Sequence, residues 1–201
     1  ISPKAGKTIP IGTYLPVAST VIRRQQSMAQ DGLPSGLHPL LRRLYRARGV
    51  TSEDGCSLPL VALHTYDTFT DIEPAAVLLA GLIRDGGSVL VVGDYDADGA
   101  TGSALAVLGL RALGAARVSY LVPSRFAFGY GLSPPVVDAA AAWRPDLILT
   151  VDNGIASVAG VSRAGELGIP VLITDHHLPG VVLPRAAAIV NPNRSGDRFP
   201  S

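Results

Sequence analysis

The run Ser88–Ala104, SVLVVGDYDADGATGSA, constrains the fold more than any other part of the chain. Val89 to Gly93 is a block of apolar or small residues, too short for a buried helix. It halts at aspartates on alternate positions, Asp94, Asp96 and Asp98, closed by Gly99. A short apolar run with an abrupt polar stop reads as the central strand of a parallel sheet, because both faces of such a strand are covered. Carboxylates crowded at its end repel one another and resist burial unless something positive lies between them. The pattern points to a divalent cation.

Other chemistries begin with the same letters. D-x-D-x-D-G opens an EF-hand loop, but the twelfth position from Asp94 should then be a bidentate Glu and is Leu105. A strand also precedes the loop where an EF-hand needs a helix. An aspartyl-phosphate phosphatase places D-x-D after a strand and uses a downstream Lys to hold the phosphoryl group. The only lysines here are Lys4 and Lys7, far upstream. A solvated acidic turn is the plainest alternative, and this segment alone leaves it open.

Either side of the run, the pattern alternates. Residues 1–34 hold Gly, Pro, Ser, Gln and scattered charge without periodicity and read as an extended or poorly ordered arm. Leu37, Leu40, Leu41, Leu44 and Tyr45 form one face of a helix that Gly49 ends, with Arg42, Arg43, Arg46 and Arg48 opposite. That basic face suits either plain solvation or a phosphate backbone. Residues 51–69 are irregular. Thr70 to Glu73 gives a T-x-x-E capping pattern, with Asp71 as a rival cap and Pro74 in the first turn. Val77, Leu78, Leu82 and Ile83 make the apolar face of the helix that follows. After the 89–93 strand the spacing predicts helices over 100–113, 133–143 and 157–167. It predicts strands over 117–122, 146–151 and 169–174, with a fifth over 186–190. Strand onsets recur about every 24 to 29 residues, the period of βαβ units. The expected fold is α/β, an open doubly wound parallel sheet over residues 71–201, preceded by an arm and short helical extension over 1–70.

Composition agrees and excludes little else. Hydrophobic residues make up 47% of the 201, with Val, Leu and Ala dominant and aromatics few, as a helix-covered parallel sheet requires. A net charge of +1 provides no global field for nucleic acid, so such binding must come from local patches. Fifteen arginines against two lysines suit bidentate phosphate contacts, though a GC-rich coding bias gives the same imbalance. Cys56 stands alone, which excludes an internal disulfide and suits a reducing cytoplasm. No apolar run reaches membrane-spanning length and no leader opens the chain. A first residue of Ile rather than Met leads us to expect a fragment or processed form.

Polar clusters end three predicted strands: Asp94, Asp96 and Asp98; Asp152-Asn153-Gly154; and Asp175-His176-His177. Ligands of open α/β sheets bind beyond the carboxyl ends of strands, where the strand order reverses. A 2-1-3-4 order brings all three clusters into one crevice. Asp and His together suit borderline ions such as Mn²⁺, and this many carboxylates can hold a pair.

Through Gly93–Gly99 (GDYDADG), Val151–Ile155 (VDNGI) and Thr174–His177 (TDHH), the chain resembles the DHH phosphoesterase superfamily. LHPLLRRLYRARGV (37–50), the Arg125–Ser133 loop with its GYGLS, and Ile189–Pro192 resemble its branch of single-strand-specific 5′→3′ DNA exonucleases. The likeness covers roughly residues 35–195. It implies two Mn²⁺ or Mg²⁺ ions, with Asp94 and Asp96 each holding a metal, Asp152 bridging both and His176 a ligand. His177 would contact the scissile phosphate or assist the leaving group. Asp98 and Asp175 would orient the ligands, while Arg125, with Asn153, would face the substrate. The implied substrate is single-stranded DNA, in repair and recombination. Helicase or single-strand-binding partners and a cytoplasmic location follow from the same resemblance. Phe128 departs from the pattern, standing where members carry an acidic residue before GYG. The resemblance also implies a fourth metal-binding Asp beyond Asn191 and further domains, so the chain is expected to be the N-terminal portion of a longer enzyme and to be inactive when isolated. Two alternatives stand: a DHH phosphodiesterase for short oligonucleotides or cyclic dinucleotides, and an inactive nucleic-acid-binding or scaffold fragment.

Overall fold

A computed structural model of the chain describes residues 32–57, 59, 61 and 63–200. The arm expected over 1–34 lies, up to residue 31, outside the described residues. Two compact units divide between Ala62 and Leu63. In the first, helix α1 spans Pro39–Ala47. His38 caps it, its Nδ1 accepting the Leu40 amide at 3.2 Å, and Gly49 ends it at φ +77°. Of the basic residues expected on its outer face, Arg42 turns back onto the carbonyl of Pro34 at 2.5 Å.

The second unit holds the sheet. Helix α2 (Ile72–Arg84) leads into β1 (Ser88–Gly93), followed by α3 (Ala97–Ala112) and β2 (Arg117–Leu121). The short α4 (Arg125–Phe128) and α5 (Pro134–Ala141) precede β3 (Leu147–Val151). Then come α6 (Val158–Glu166), β4 (Val171–Thr174) and β5 (Ala188–Val190). All pairings are parallel, in the order β2-β1-β3-β4-β5. The chain steps from β1 to β2 on one side, then crosses back to build β3, β4 and β5 on the other. The order therefore reverses between β1 and β3. Right-handed crossovers in opposite directions must put their helices on opposite faces, and the core divides accordingly. Val89, Val91, Leu147, Leu149 and Leu172 pack with Val107 and Leu110 of α3 and Ala75 of α2. Leu90, Val92, Ile148 and Ile173 pack with Val136, Val137 and Ala140 of α5 and Val161 and Ala164 of α6. Strand residues alternate between two apolar layers, so the strands read as continuous hydrophobic runs.

Three local expectations need correction. The capping pattern at Thr70 does not form. Asp71 takes the N-cap position of α2 at φ +46° with no side-chain cap. Its carboxylate instead accepts the Ile189 amide at 3.0 Å and Arg194 at 2.7 Å, tying the end of the chain to the helix. Those two partners occupy the carboxylate that would otherwise accept an amide of the first turn. Helix α3 starts at Ala97 rather than Ala100, because Asp96 caps it through the Gly99 amide at 3.1 Å. Asp98 thus lies in the first helical turn, where a carboxylate suits the helix dipole. The Arg125–Phe128 turn is helical, which periodicity does not predict, and Phe128 lays its side chain against the α5/α6 core layer, a use no acidic residue could have.

Candidate metal centre

Parallel strands end on the same side, so residues that follow register partners become neighbours. Gly93 pairs with Val151, Val151 with Thr174, and Thr174 with Val190. The next residue of each strand is Asp94, Asp152, Asp175 and Asn191. These four form a row across the C-terminal end of the sheet, exposed by only 8, 7, 8 and 0%. Burying that much polar surface is costly unless each atom has a partner. The partners differ along the row.

Asp175 is fully satisfied. One oxygen accepts the amides of His176 (2.7 Å) and His177 (3.0 Å) and lies 2.8 Å from Nδ1 of His177. The other accepts the Ile155 amide at 2.9 Å. It folds the D-H-H turn and orients the second imidazole. That bond, against an opposing effect of burial, raises the pKa of His177, with Asp152 and Asp94 adding to the rise. Nε2 of His177 meets the Tyr130 hydroxyl at 3.1 Å. Burial and the charges of Asp175, Asp94 and Asp152 push that phenol up to about 12, so it keeps its proton at neutral pH. Asn191 closes the turn from the other side, donating to the His177 carbonyl at 3.0 Å.

Asp152 is not satisfied. It sits at φ +62°, a left-handed conformation that Asp tolerates better than most residues. Gly154 makes the tight return possible, since a Cβ there would stand 2.6 Å from Thr150 Oγ1. One Asp152 oxygen lies 2.9 Å from Nε2 of His176, while the other is buried with no donor toward it. Asp96 faces it. Burial first, then the Asp96 carboxyl, push Asp152 above the usual carboxylate range, whereas Asp96 is lowered mainly by the Gly99 amide. Two carboxyl groups so placed need a proton or a cation between them.

The residues fit a cation. Ligand atoms of Asp94, Asp96 and Asp152 lie within 4.8 Å of one another, as do those of Asp152, His176 and His177. The two sets share Asp152, and its orphaned oxygen supplies the lone pair that a metal would take. A mixed Asp and His donor set suits Mn²⁺-like ions and is too nitrogen-rich for a calcium loop.

Other expected residues stand at the margin. Asp98 is mostly exposed, with its carboxylate 4.0 Å from His176. Arg125, the first residue of α4, reaches back to Asp94 at 3.2 Å. Asn153, expected at the substrate, is turned inward. It is 2% exposed, and its amide donates to the carbonyls of Val92 (3.0 Å) and Val151 (2.9 Å), stitching β1 to β3. Reaching a substrate would cost it both bonds. Sequence reasoning passed over Tyr95, Tyr130 and Asn191 as individual side chains. Tyr95 and Tyr130 lay inside motifs quoted for their neighbours. Asn191 carried a usable signal, because it follows a strand just as Asp94, Asp152 and Asp175 do.

A sequence profile described as "DHH family, N-terminal domain" matches residues 88–198. The single-stranded-DNA-specific exonuclease RecJ of Salmonella typhimurium is 52% identical over 180 residues, 90% of this chain and 31% of the relative. RecJ of Bacillus subtilis is 36% identical over 188 residues, 89% of this chain and 23% of that protein. The chain thus spans less than a third of the length of these relatives. A crystal structure of exonuclease RecJ bound to manganese superposes with a TM-score of 0.62 at 38% identity, covering 69% of this chain and 36% of that one. RecJ from Thermus thermophilus in complex with Mn²⁺ gives 0.56 at 36% identity, over 74% and 20%. The profile takes in all five strands and every polar residue at their ends, and on that match the chain belongs to the DHH family.

Proposed function

We propose that the chain carries the metal-binding part of a single-strand-specific 5′→3′ DNA exonuclease that hydrolyses phosphodiester bonds with two Mn²⁺ or Mg²⁺ ions. The observation that carries the reading is Asp152: buried, missing a donor at one oxygen, and common to two overlapping sets of ligand atoms. Likeness to the RecJ exonucleases, including two structures holding manganese, supports the substrate class and the metal.

Divalent cations supply charge neutralisation on the phosphate and acidify water, which removes the need for a protein nucleophile. In this reading Asp94 and Asp96 would each hold a metal, Asp152 would be common to both ions, and His176 would be a further ligand. His177, steered by Asp175 and faced by Tyr130, meets the scissile phosphate or the leaving oxygen. Asp98 and Asp175 orient their neighbours, and Arg125 faces the phosphate. Asn153 acts only indirectly, by fixing the turn that presents Asp152. The proposed organisation is a helical extension over 1–70 and the phosphoesterase domain over 71–201. Helicases or single-strand-binding proteins that deliver such strands in repair and recombination are the proposed partners. No helix among the described residues is long and apolar enough to cross a membrane. The proposed location is the cytoplasm, where Cys56 stays reduced.

Incubating the complete enzyme that the resemblance implies with Mn²⁺ and a 5′-phosphorylated single strand or its duplex tests the reading; these 201 residues alone are expected to bind Mn²⁺ weakly and to hydrolyse negligibly. Mononucleotides released from the single strand only, and none after chelation, are expected. Cleavage confined to dinucleotides or cyclic dinucleotides would move the chain to another DHH activity. Neither metal uptake nor hydrolysis would leave a scaffold.

A further inference from the structure

Tyr95 lies between two candidate ligands, yet its ring belongs neither to the core nor to the ligand sets, being 49% exposed. One ring face is covered by the guanidinium of Arg125, whose Cζ lies 3.9 Å from the ring centroid. The Tyr130 ring is more distant, at 5.1 Å, and its hydroxyl is engaged with His177. Arg125 therefore makes two kinds of contact: its face rests on Tyr95, and its edge donates to Asp94 at 3.2 Å. All of its donors lie in the guanidinium plane, so the stacked face consumes none of them.

We propose that Tyr95 is a positioning residue that seats Arg125 for the substrate phosphate, while Asp94 holds the guanidinium edge only until its carboxylate is given over to a cation. The inference rests on the phosphodiesterase reading above. An arginine released from Asp94 at a four-residue helix, with its side chain 43% exposed, keeps the Tyr95 ring at 3.9 Å as its nearer aromatic support, against 5.1 Å for Tyr130. Long side chains lose affinity when they must be ordered at the moment of binding. The seat is also indexed to the metal centre, because the Tyr95 amide donates to the second oxygen of Asp94 at 2.8 Å. The freed edge can then take a phosphate in a bidentate grip without Arg125 changing place.

The test compares Tyr95→Leu, Tyr95→Phe, Arg125→Ala and the double variant Tyr95→Leu/Arg125→Ala. Each is measured for Mn²⁺ affinity by titration, single-strand affinity by fluorescence anisotropy, and steady-state hydrolysis. Tyr95→Leu should raise KM about tenfold with a smaller change in kcat, and Tyr95→Phe should stay within about twofold of the parent. Mn²⁺ affinity should be unchanged in both, and Tyr95→Leu should add nothing once Arg125 is gone. Additive losses would overturn the proposal by showing that Tyr95 meets the substrate itself. A parallel fall in Mn²⁺ affinity would overturn it by assigning the effect to Asp94 and Asp96. If the parent protein hydrolyses no single strand, the functional reading fails. The seat is then judged by anisotropy alone, where Tyr95→Leu must weaken strand binding through Arg125 or the proposal falls.

Discussion

At the N-terminal end of the sheet, the Asp146 carboxylate accepts the amide of Ser88 at 2.7 Å and its hydroxyl at 2.8 Å. The Asp146 amide returns a bond to the Ser88 carbonyl at 3.0 Å, and Arg117 stands 3.6 Å away. The bonds from Ser88 hold this carboxyl below its usual range. Beyond the far end of the same strand, Asp152 is buried against another carboxylate and pushed the opposite way. One end pairs exposed opposite charges. The other buries Asp152 on a left-handed backbone against the carboxyl of the exposed Asp96. The first arrangement serves the fold, while the second needs a proton or a cation that the fold itself does not supply. Substitutions at the two ends should therefore differ in the sign of their effect on stability.

The largest effect is expected at Asp152. Asp152→Ala should lower turnover about a thousandfold or more, because a carboxylate common to both ligand sets cannot be replaced by its neighbours. Activity within tenfold of the parent would take Asp152 out of the metal centre. Asp152→Asn should lose activity comparably yet raise the metal-free melting temperature by roughly 2–4 °C, as relief worth about 1 kcal/mol would in a chain of this size. Asn suits the left-handed backbone, and its NH2, standing where the unpartnered oxygen was, can donate to the facing Asp96 carboxylate. A lower melting temperature would break the comparison between the two ends.

Next in size is the contrast between the adjacent imidazoles. The His176 imidazole bonds to the candidate ligand Asp152, whereas that of His177 is held by Asp175 and faces Tyr130. His176→Ala should weaken Mn²⁺ binding at least about tenfold. His177→Ala should keep the metal and slow turnover by about a hundredfold or more. Equal metal content together with equal rates in the two variants would erase the distinction.

Smallest is Asp146→Asn, at an exposed site where ion pairs contribute little. A folded-state pKa below the ordinary value stabilises above the unfolded carboxylate's pKa of about 4 and loses that contribution as pH falls through the folded value. The substitution should lower stability slightly at pH 7, with the difference from the parent closing under acid. Thermal melts at pH 7 and near pH 3 measure it, and a difference that persists in acid would mean that charge is not its source.

Much of this was legible in the chain. Short apolar runs at βαβ spacing can only be strands covered on both faces, and right-handed connections leave few ways to order them. Three polar strand ends then had to approach one another, which brought Asp94, Asp96, Asp152, His176 and His177 into one crevice. The tertiary structure decided what each polar atom does once it is there. Asp71 abandons its helix to bind Arg194, and Asn153 turns inward to join two strands. Phe128 packs half-buried against the core, Asn191 completes a row of four, and Tyr95 slips beneath Arg125. Periodicity and propensity are local, whereas a hydrogen bond or a stacked ring goes to whichever neighbour is nearest in space. For Asp71 and Arg194 that neighbour is more than a hundred residues away along the chain.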